Sequence, residues 1–397
     1  MNDGTPLNGT PAADPDLLYS AEEDALRDAV RSLLADRSGP ATVLAGLESK
    51  AAYDTGLWRA LATDIGAAGL LVPEKLGGAG ASAREAAVVL EETGRCVAPV
   101  PYLTSAVIAV TTLLGCDLGQ ADVAAPLAAL AGGNAVGVLA VPLPTAPDGP
   151  ATPTVRAAAD GALTGRVTSV ADAAGAELLL VPAEGPDGPA LYAVEAAADG
   201  VRTDPVTPLD LTRPLGHLTF DGAHGRLLAT GDRARTAVAH ALLTGAGLLA
   251  SEQLGVAEWC LAETVRHTAE RTQFGRPVGS FQALKHRMAA LWLEVASARA
   301  AARNAADALA TGSADAPVAV AVAQAYCAPV AVRAAQECIQ LHGGIGMTWE
   351  HPAHLFLKRA KSDELALGSP GRHREALAGL VALDAPQCST PHSSRRP

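Results

Sequence analysis

The sequence predicts a mainly helical α+β protein in three parts. These are an N-terminal α-helical domain (18–131), a central antiparallel β domain (132–231) and a C-terminal domain of four-helix-bundle type (232–384). Three observations lead there. Apolar residues recur at helical intervals in the first third and again from Asp232 onward. Between Gly132 and about Ala229 that period gives way to short apolar runs between Pro and Gly, several carrying Val. Hydrophobic residues make up 49% of the chain and charged residues 18%, enough apolar mass for a large core.

Residues 1–17 are polar and rich in Pro and Gly, and are expected to be flexible. Ser20 and Glu23 have capping-box spacing, so a helix is predicted over 21–35, with Leu26, Val30, Leu33 and Leu34 on its apolar side. Further helices are expected near 58–65, 84–93, 105–114 and 123–131, with a Gly-rich turn over 70–82. The runs VGVLAVPLP, LLLVPA, LYAVEA and HLTF read as strands. In the last domain Met288, Leu291, Trp292 and Val295 form a face suited to a bundle. The Ala/Val-rich stretch 318–332 suits burial between helices of neighbouring chains. Residues 385–397 lack any period and are expected to be a disordered tail.

Composition excludes some partners. Thirty basic against 42 acidic residues give a net charge of −12, which repels nucleic-acid backbones. A mean hydropathy of +0.19 raises the question of a membrane, but the apolar runs are short or broken by Gln324 and Pro329. No membrane insertion is expected, and no signal-peptide pattern opens the sequence. Six scattered cysteines without a CxxC pair fit free thiols and a cytoplasmic location.

Two segments stand out chemically. In ERTQFGRPVGSFQALKHRMA (270–289) a helix is expected to end near Phe274–Gly275 and another to begin near Ser280. The junction carries Arg271 and Gln282, and an Arg there can fork onto a diphosphate. A capped helix hairpin with surface charges is the alternative. In QECIQLHGGIGMTWEHPAHLFLKRAK (336–361), Gly343, Gly344 and Gly346 interrupt a helix, which lets a ligand approach backbone N–H groups. A plain turn would have the same pattern. His351 and His354 lie three residues apart, but Pro352 between them and the lack of a clustered third ligand argue against a metal. Glu350 is expected to pair with Arg359 or Lys358.

Together these segments resemble the ERxxFG…FQ and Q-x-x-GG-x-G motifs of the acyl-CoA dehydrogenase family. LLVPEKLGGAG, EETGRCVAP and TPLDLTRPLGHLTF (207–220, matching a strand pair) add to the likeness, which spans about 17–380. The resemblance implies FAD, an acyl-CoA thioester substrate, α,β-dehydrogenation, an oligomer and an electron-accepting flavoprotein. By position, Arg271, Gln273 and Phe274 would meet the diphosphate region, and Phe281 and Gln282 the adenosine. Gln340, Leu341, Gly343 and Gly344 would be partner-subunit contacts, and Ser369 would lie near the adenine.

The sequence departs from the family at the reacting centre. The family's base is a Glu in the pattern Y-E-G-T, and that position falls on Leu367, followed by Gly368 and Ser369. An alternative base position falls near Thr244–Gly245, again without an acid. The flavin-ring motifs match only loosely at 141–149 and at Ser169, Val170 and Ala171. Glu252, Glu350, Asp363 and Glu364 remain as other acids. The expectation is therefore an acyl-CoA dehydrogenase-type flavoprotein acting as the base-lacking subunit beside a Glu-bearing homologue. A homo-oligomeric, self-sufficient enzyme using a non-standard base and a flavin-free scaffold are the alternatives.

Overall fold

In the computed structural model, residues 17–47, 53–148 and 153–383 are described. The stretches expected to be flexible or disordered at 1–16 and 385–397, and Cys388, lie outside them.

Helix α1 (Ala21–Arg37) begins as its capping box dictates: Ser20 Oγ accepts the Glu23 amide at 3.1 Å, and Glu23 accepts the Ser20 amide at 2.6 Å. After α2 (Pro40–Gly46) comes α3 (Thr55–Arg59), which widens into π-type turns through Asp64. Helix α4 (Ala83–Arg95) carries a second capping box, Ser82 with Glu85. Pro101 precedes a buried helical stretch, of π type over Tyr102–Ala109 and continuing as α5 (Val110–Leu114); α6 (Ala121–Ala131) closes this part.

The central region is a mixed sheet. Its strands are β1 (Gly137–Leu139), β2 (Val155–Ala157), β3 (Ala162–Ala171), β4 (Leu178–Gly185), β5 (Gly188–Glu195), β6 (Val201–Val206), β7 (Leu215–His224) and β8 (Arg226–Thr230). They lie in the order β6-β7-β3-β2-β4-β5-β8, with β1 beside β4. The expected antiparallel pairing holds for most of the sheet and is corrected at β1 and β2, which both run parallel to β4. The reason lies in β4, whose Leu178, Leu179, Leu180 and Val181 are all buried, so it takes partners and packing on every side. The expected strand pair over 207–220 is also corrected. Only its second half is strand, and Thr207–Pro214 is a loop whose Asp210, Thr212 and Arg213 turn inward.

Helices α7 (Gly231–Glu270), α8 (Gln282–Ala310), α9 (Ala316–His342), α10 (Ala353–Leu365) and α11 (Pro370–Leu380) form the C-terminal bundle. A short hairpin, β9 (Thr272–Gln273) with β10 (Arg276–Pro277), joins α7 to α8. Helix α7 therefore ends at Glu270, earlier than the sequence suggested, because Phe274 and Gly275 both take positive φ and form the hairpin turn. The stretch 316–347 is long and apolar enough to cross a membrane, yet most of it is buried inside this bundle. Most of 318–332 is covered within the chain, while Val322 and Tyr326 remain exposed. Trp292 does not join the bundle face either: it is 61% exposed, whereas Leu291 and Val295 are buried.

Candidate active site and cofactor-binding surface

The two positions that could carry a base converge on one spot. Leu367 lies in the turn between α10 and α11, is buried, and takes a positive φ of 54°, as does Gly368 at 103°. A non-glycine residue in that region is held there by its surroundings. On the facing helix α7, a Cβ added at Gly245 would lie 3.2 Å from Leu367 Cδ1. The walls at this spot are Leu367, Ile108 and the bare backbone of Gly245. No acid reaches it.

The segment 141–148 connects this spot to β3. The Leu367 N–H donates to the Leu143 carbonyl at 2.8 Å, and the Leu143 N–H donates to the Ser169 carbonyl at 2.9 Å. Leu143 therefore bridges directly between the base position and the strand position matched to the flavin ring. Ser169 itself has a φ of 55°, within an irregular stretch of β3, and its N–H donates to His217 Nδ1 at 3.1 Å. Ala146 and His373 crowd Gly368 so closely that a Cβ there would meet them at 3.0 and 2.9 Å. His373 Nε2 bonds the Leu367 carbonyl at 3.0 Å, and burial pushes its imidazole down, toward the neutral form. Asp148 pairs with Arg372 at 2.9 Å beside a cleft of about 420 Å³ that Leu243 and Pro317 also line.

Of the remaining acids, Glu252, Asp363 and Glu364 have other partners. Glu252 and Asp363 belong to a buried network with Asp210, Arg213 and Arg359, which ties the 207–214 loop to α7 and α10. Arg213 Nη2 donates to both Glu252 oxygens at 2.7 Å, and Arg213 Nη1 to Asp363. Arg359 donates to Asp210 at 2.6 Å, to Thr212 Oγ1 at 2.7 Å and to Glu252. Burial alone would raise the carboxyl of Asp210, but Arg359 and Arg213 outweigh it and hold it below its usual range. Asp363 goes the other way: burial and the Glu252 charge push it up to about 8. The expected pairing of Glu350 with Arg359 or Lys358 does not form. Glu350 is exposed, Arg359 is enclosed in this network, and Lys358 sits over the Trp349 ring at 4.1 Å. Glu364 pairs with Lys361. The network escaped sequence reading because its members are scattered over 150 positions; the LDLTR run was its only local sign.

The diphosphate-type segments are arranged differently, in the open. The side chain of Arg271 is exposed and makes no hydrogen bond or ion pair among the described residues. Gln273 and Gln282 are exposed, and Phe274 is 90% exposed at the hairpin tip, edge-on to Phe281 at 6.2 Å. Arg276 lies over the Phe281 ring at 4.0 Å. Gln340 is exposed on the last turn of α9, and Leu341 is half-buried. Gly343 has a φ of 65°, and a Cβ at Gly343 or Gly344 would meet nothing within 4 Å. The two segments adjoin, since His267, one turn before Arg271, stacks on His342, next to Gly343, at 4.1 Å. Ser369 caps α11 by accepting the Arg372 amide at 3.3 Å, so it also has a structural role.

The fit to a flavin dinucleotide is thus divided. Open glycine backbone, an unengaged Arg and exposed aromatic rings suit its diphosphate and adenosine end. Between Ser169 and Leu367, where the ring would lie, Leu143 takes the backbone hydrogen-bonding groups of both. One grouping was missed from sequence. His351 turns away from His354 and meets Glu263 and His342, so a clustered third ligand does exist. The distance of Glu263 and His342 in sequence hid it.

Comparison with known proteins agrees with this architecture. The acyl-CoA dehydrogenase N-terminal domain family matches residues 20–122, and the C-terminal domain family matches 235–381. Acyl-CoA dehydrogenase IpdE2 of Mycobacterium tuberculosis is 37% identical over 359 residues, covering 90% of this chain and 96% of that protein. A solved variant of the Tcur3481-Tcur3483 steroid ACAD superposes with a TM-score of 0.80 at 31% identity, covering 91% of this chain and 98% of that one. A chain of the ChsE4-ChsE5 complex from Mycobacterium tuberculosis superposes with a TM-score of 0.81 at 28% identity, covering 94% and 100%. The helical, β and helical order, the two C-terminal motifs and these matches together place the chain in the acyl-CoA dehydrogenase family.

Proposed function

We propose that this chain is the base-lacking subunit of a heteromeric acyl-CoA dehydrogenase. It lends the diphosphate and adenosine end of an FAD site whose ring end belongs to a homologous, Glu-bearing partner. The observation that carries this reading is the contrast between its two half-sites. The 271–274 and 340–344 surfaces are open, while the Leu367 amide is tied to the Leu143 carbonyl and no acid stands at that position. FAD, when bound, supplies hydride acceptance from Cβ of an acyl thioester. The Cα proton needs a base that this chain does not offer, so its own residues bind and orient rather than move protons. Relatives named as a steroid ACAD and as a two-component complex support a bulky acyl-CoA substrate and a heteromeric assembly. Electrons would pass on to an electron-accepting flavoprotein.

The test is co-expression with a Glu-bearing homologue from the same organism. The pair should co-purify with FAD, and Arg271→Ala here should weaken FAD retention roughly ten-fold or more, because a charge-assisted hydrogen bond is lost. FAD retention unchanged by that variant would remove the diphosphate assignment.

A further inference from the structure

Helix α7, the end of α9 and the turn before α10 each send one metal-type ligand to a common point. Glu263 Oε1, His342 Nε2 and His351 Nε2 lie within 4.8 Å of one another. Glu263 Oε1 is 3.5 Å from His342 Nε2 and 3.8 Å from His351 Nε2. These separations exceed the ~2.9 Å typical of an N–H···O hydrogen bond. They approach the ~3.3–3.6 Å between neighbouring ligands of a tetrahedral ion with bonds of about 2.0–2.2 Å.

The state of His342 points the same way. Its ring is buried, and Nδ1 lies 2.6 Å from the Cys338 carbonyl, which fixes the proton on Nδ1. In the neutral ring Nε2 carries a lone pair; it has no partner within hydrogen-bond distance and faces the Glu263 carboxylate. Glu263 also accepts from Arg266 at both oxygens, and a cation between Glu263 Oε1 and His342 Nε2, a proton or a metal ion, would join these two atoms. A histidine that donates one ring N–H to a backbone carbonyl and offers the other nitrogen has the arrangement found at metal ligands. His267, stacked on the His342 face at 4.1 Å, holds the ring plane. His351 accepts the Ala353 amide at Nδ1 over 3.2 Å, so ligation through Nε2 exchanges that long bond for a metal–nitrogen bond. Arg266 covers Glu263 from the solvent side and is itself more than half exposed, so it can yield.

We infer that Glu263, His342 and His351 form a site for a borderline transition-metal ion of the Zn²⁺ class, with water in the fourth position. Two imidazoles and one carboxylate suit Zn²⁺ or Co²⁺ and not Mg²⁺, which takes oxygen ligands. The ion would staple α7, α9 and α10 together beneath Gly343–Met347. The site is independent of the proposed function, and its test uses no activity.

The experiment is titration of chelator-treated full-length protein, in whatever assembly it purifies, with Zn²⁺, Co²⁺ and Mg²⁺ by calorimetry and thermal unfolding. One Zn²⁺ per chain is expected, with a raised Tm reversed by chelator, visible Co²⁺ absorption and no response to Mg²⁺. His351→Ala, at a half-buried position, should keep the metal-free Tm and weaken Zn²⁺ binding roughly ten-fold or more. His342→Gln should do the same if it folds. No stoichiometric Zn²⁺ binding, or binding indifferent to His351→Ala, would overturn the site. So would a His342 Nε2 proton, seen by NMR, that saturating Zn²⁺ does not displace, since the positive centre would then be a proton.

Discussion

At Leu367 three things coincide: an apolar side chain, a left-handed backbone and an amide already engaged by Leu143. Restoring the acid alone should therefore not restore the chemistry. Leu367→Glu places a carboxyl at a 2% exposed position, where burial raises its pKa and lowers stability by a few kcal/mol, on the order of 1–3. A lower Tm with no acyl-CoA-dependent flavin reduction is expected; activity from this single change would show that 141–148 yields readily. Asp363 offers a test of the buried network through pH. Its folded pKa of about 8 lies above the ordinary 3.8, so the protonated form is favoured in the fold. That contribution is complete below the unfolded pKa and is lost as pH rises through about 8. Asp210 and Glu252, both lowered, act oppositely and lose theirs only at acid pH. Asp363→Asn should thus flatten the fall in stability between about pH 4 and pH 8, measured by urea unfolding. An unchanged slope would place the titration elsewhere.

Among the elements, the crossing of α4 on α7 is the tightest constraint. A Cβ at Gly255 would run into the Glu91 carbonyl, and one at Gly94 into the Glu252 carbonyl, so each helix rests its backbone on the other. Gly255→Ala must force the helices apart. A loss of about 1–3 kcal/mol or more is expected in denaturant unfolding, and a neutral result would contradict the close approach. These helices were legible in sequence because period and caps are local: Ser20 with Glu23 announced α1 directly. The mixed sheet was not. Strand length and punctuation reveal that strands exist, but the parallel pairing of β1 with β4 depends on which apolar runs end up buried on both faces. The π-type turns at 60–64 and 102–109 also escaped, since their apolar pattern equals that of an α-helix. At the site, contiguous motifs such as ERTQFG and QLHGGIG were readable, as was the apolar Leu367 at the position matched to the family's Glu. The Leu143 bridge and the Arg213–Glu252–Arg359 knot join residues far apart in sequence, and no spacing rule connects them.

The whole molecule presents an unusual surface for a chain with such a full core. Phe274, Met347, Trp349, Trp292 and Leu293 are each more than 60% exposed. Aromatic side chains of this kind beside the open diphosphate-type segments suit a partner subunit rather than water. This agrees with a division of labour in which one chain lacks the base at its own reacting centre and completes that of another. The most direct test is anaerobic mixing of acyl-CoA thioesters, steroid-derived ones included, with this chain purified alone and loaded with FAD. A positioned base contributes roughly 10²–10⁴-fold, so its absence should leave flavin absorbance unchanged on the timescale of turnover. Rapid bleaching of the flavin by the isolated chain would contradict the base-lacking account.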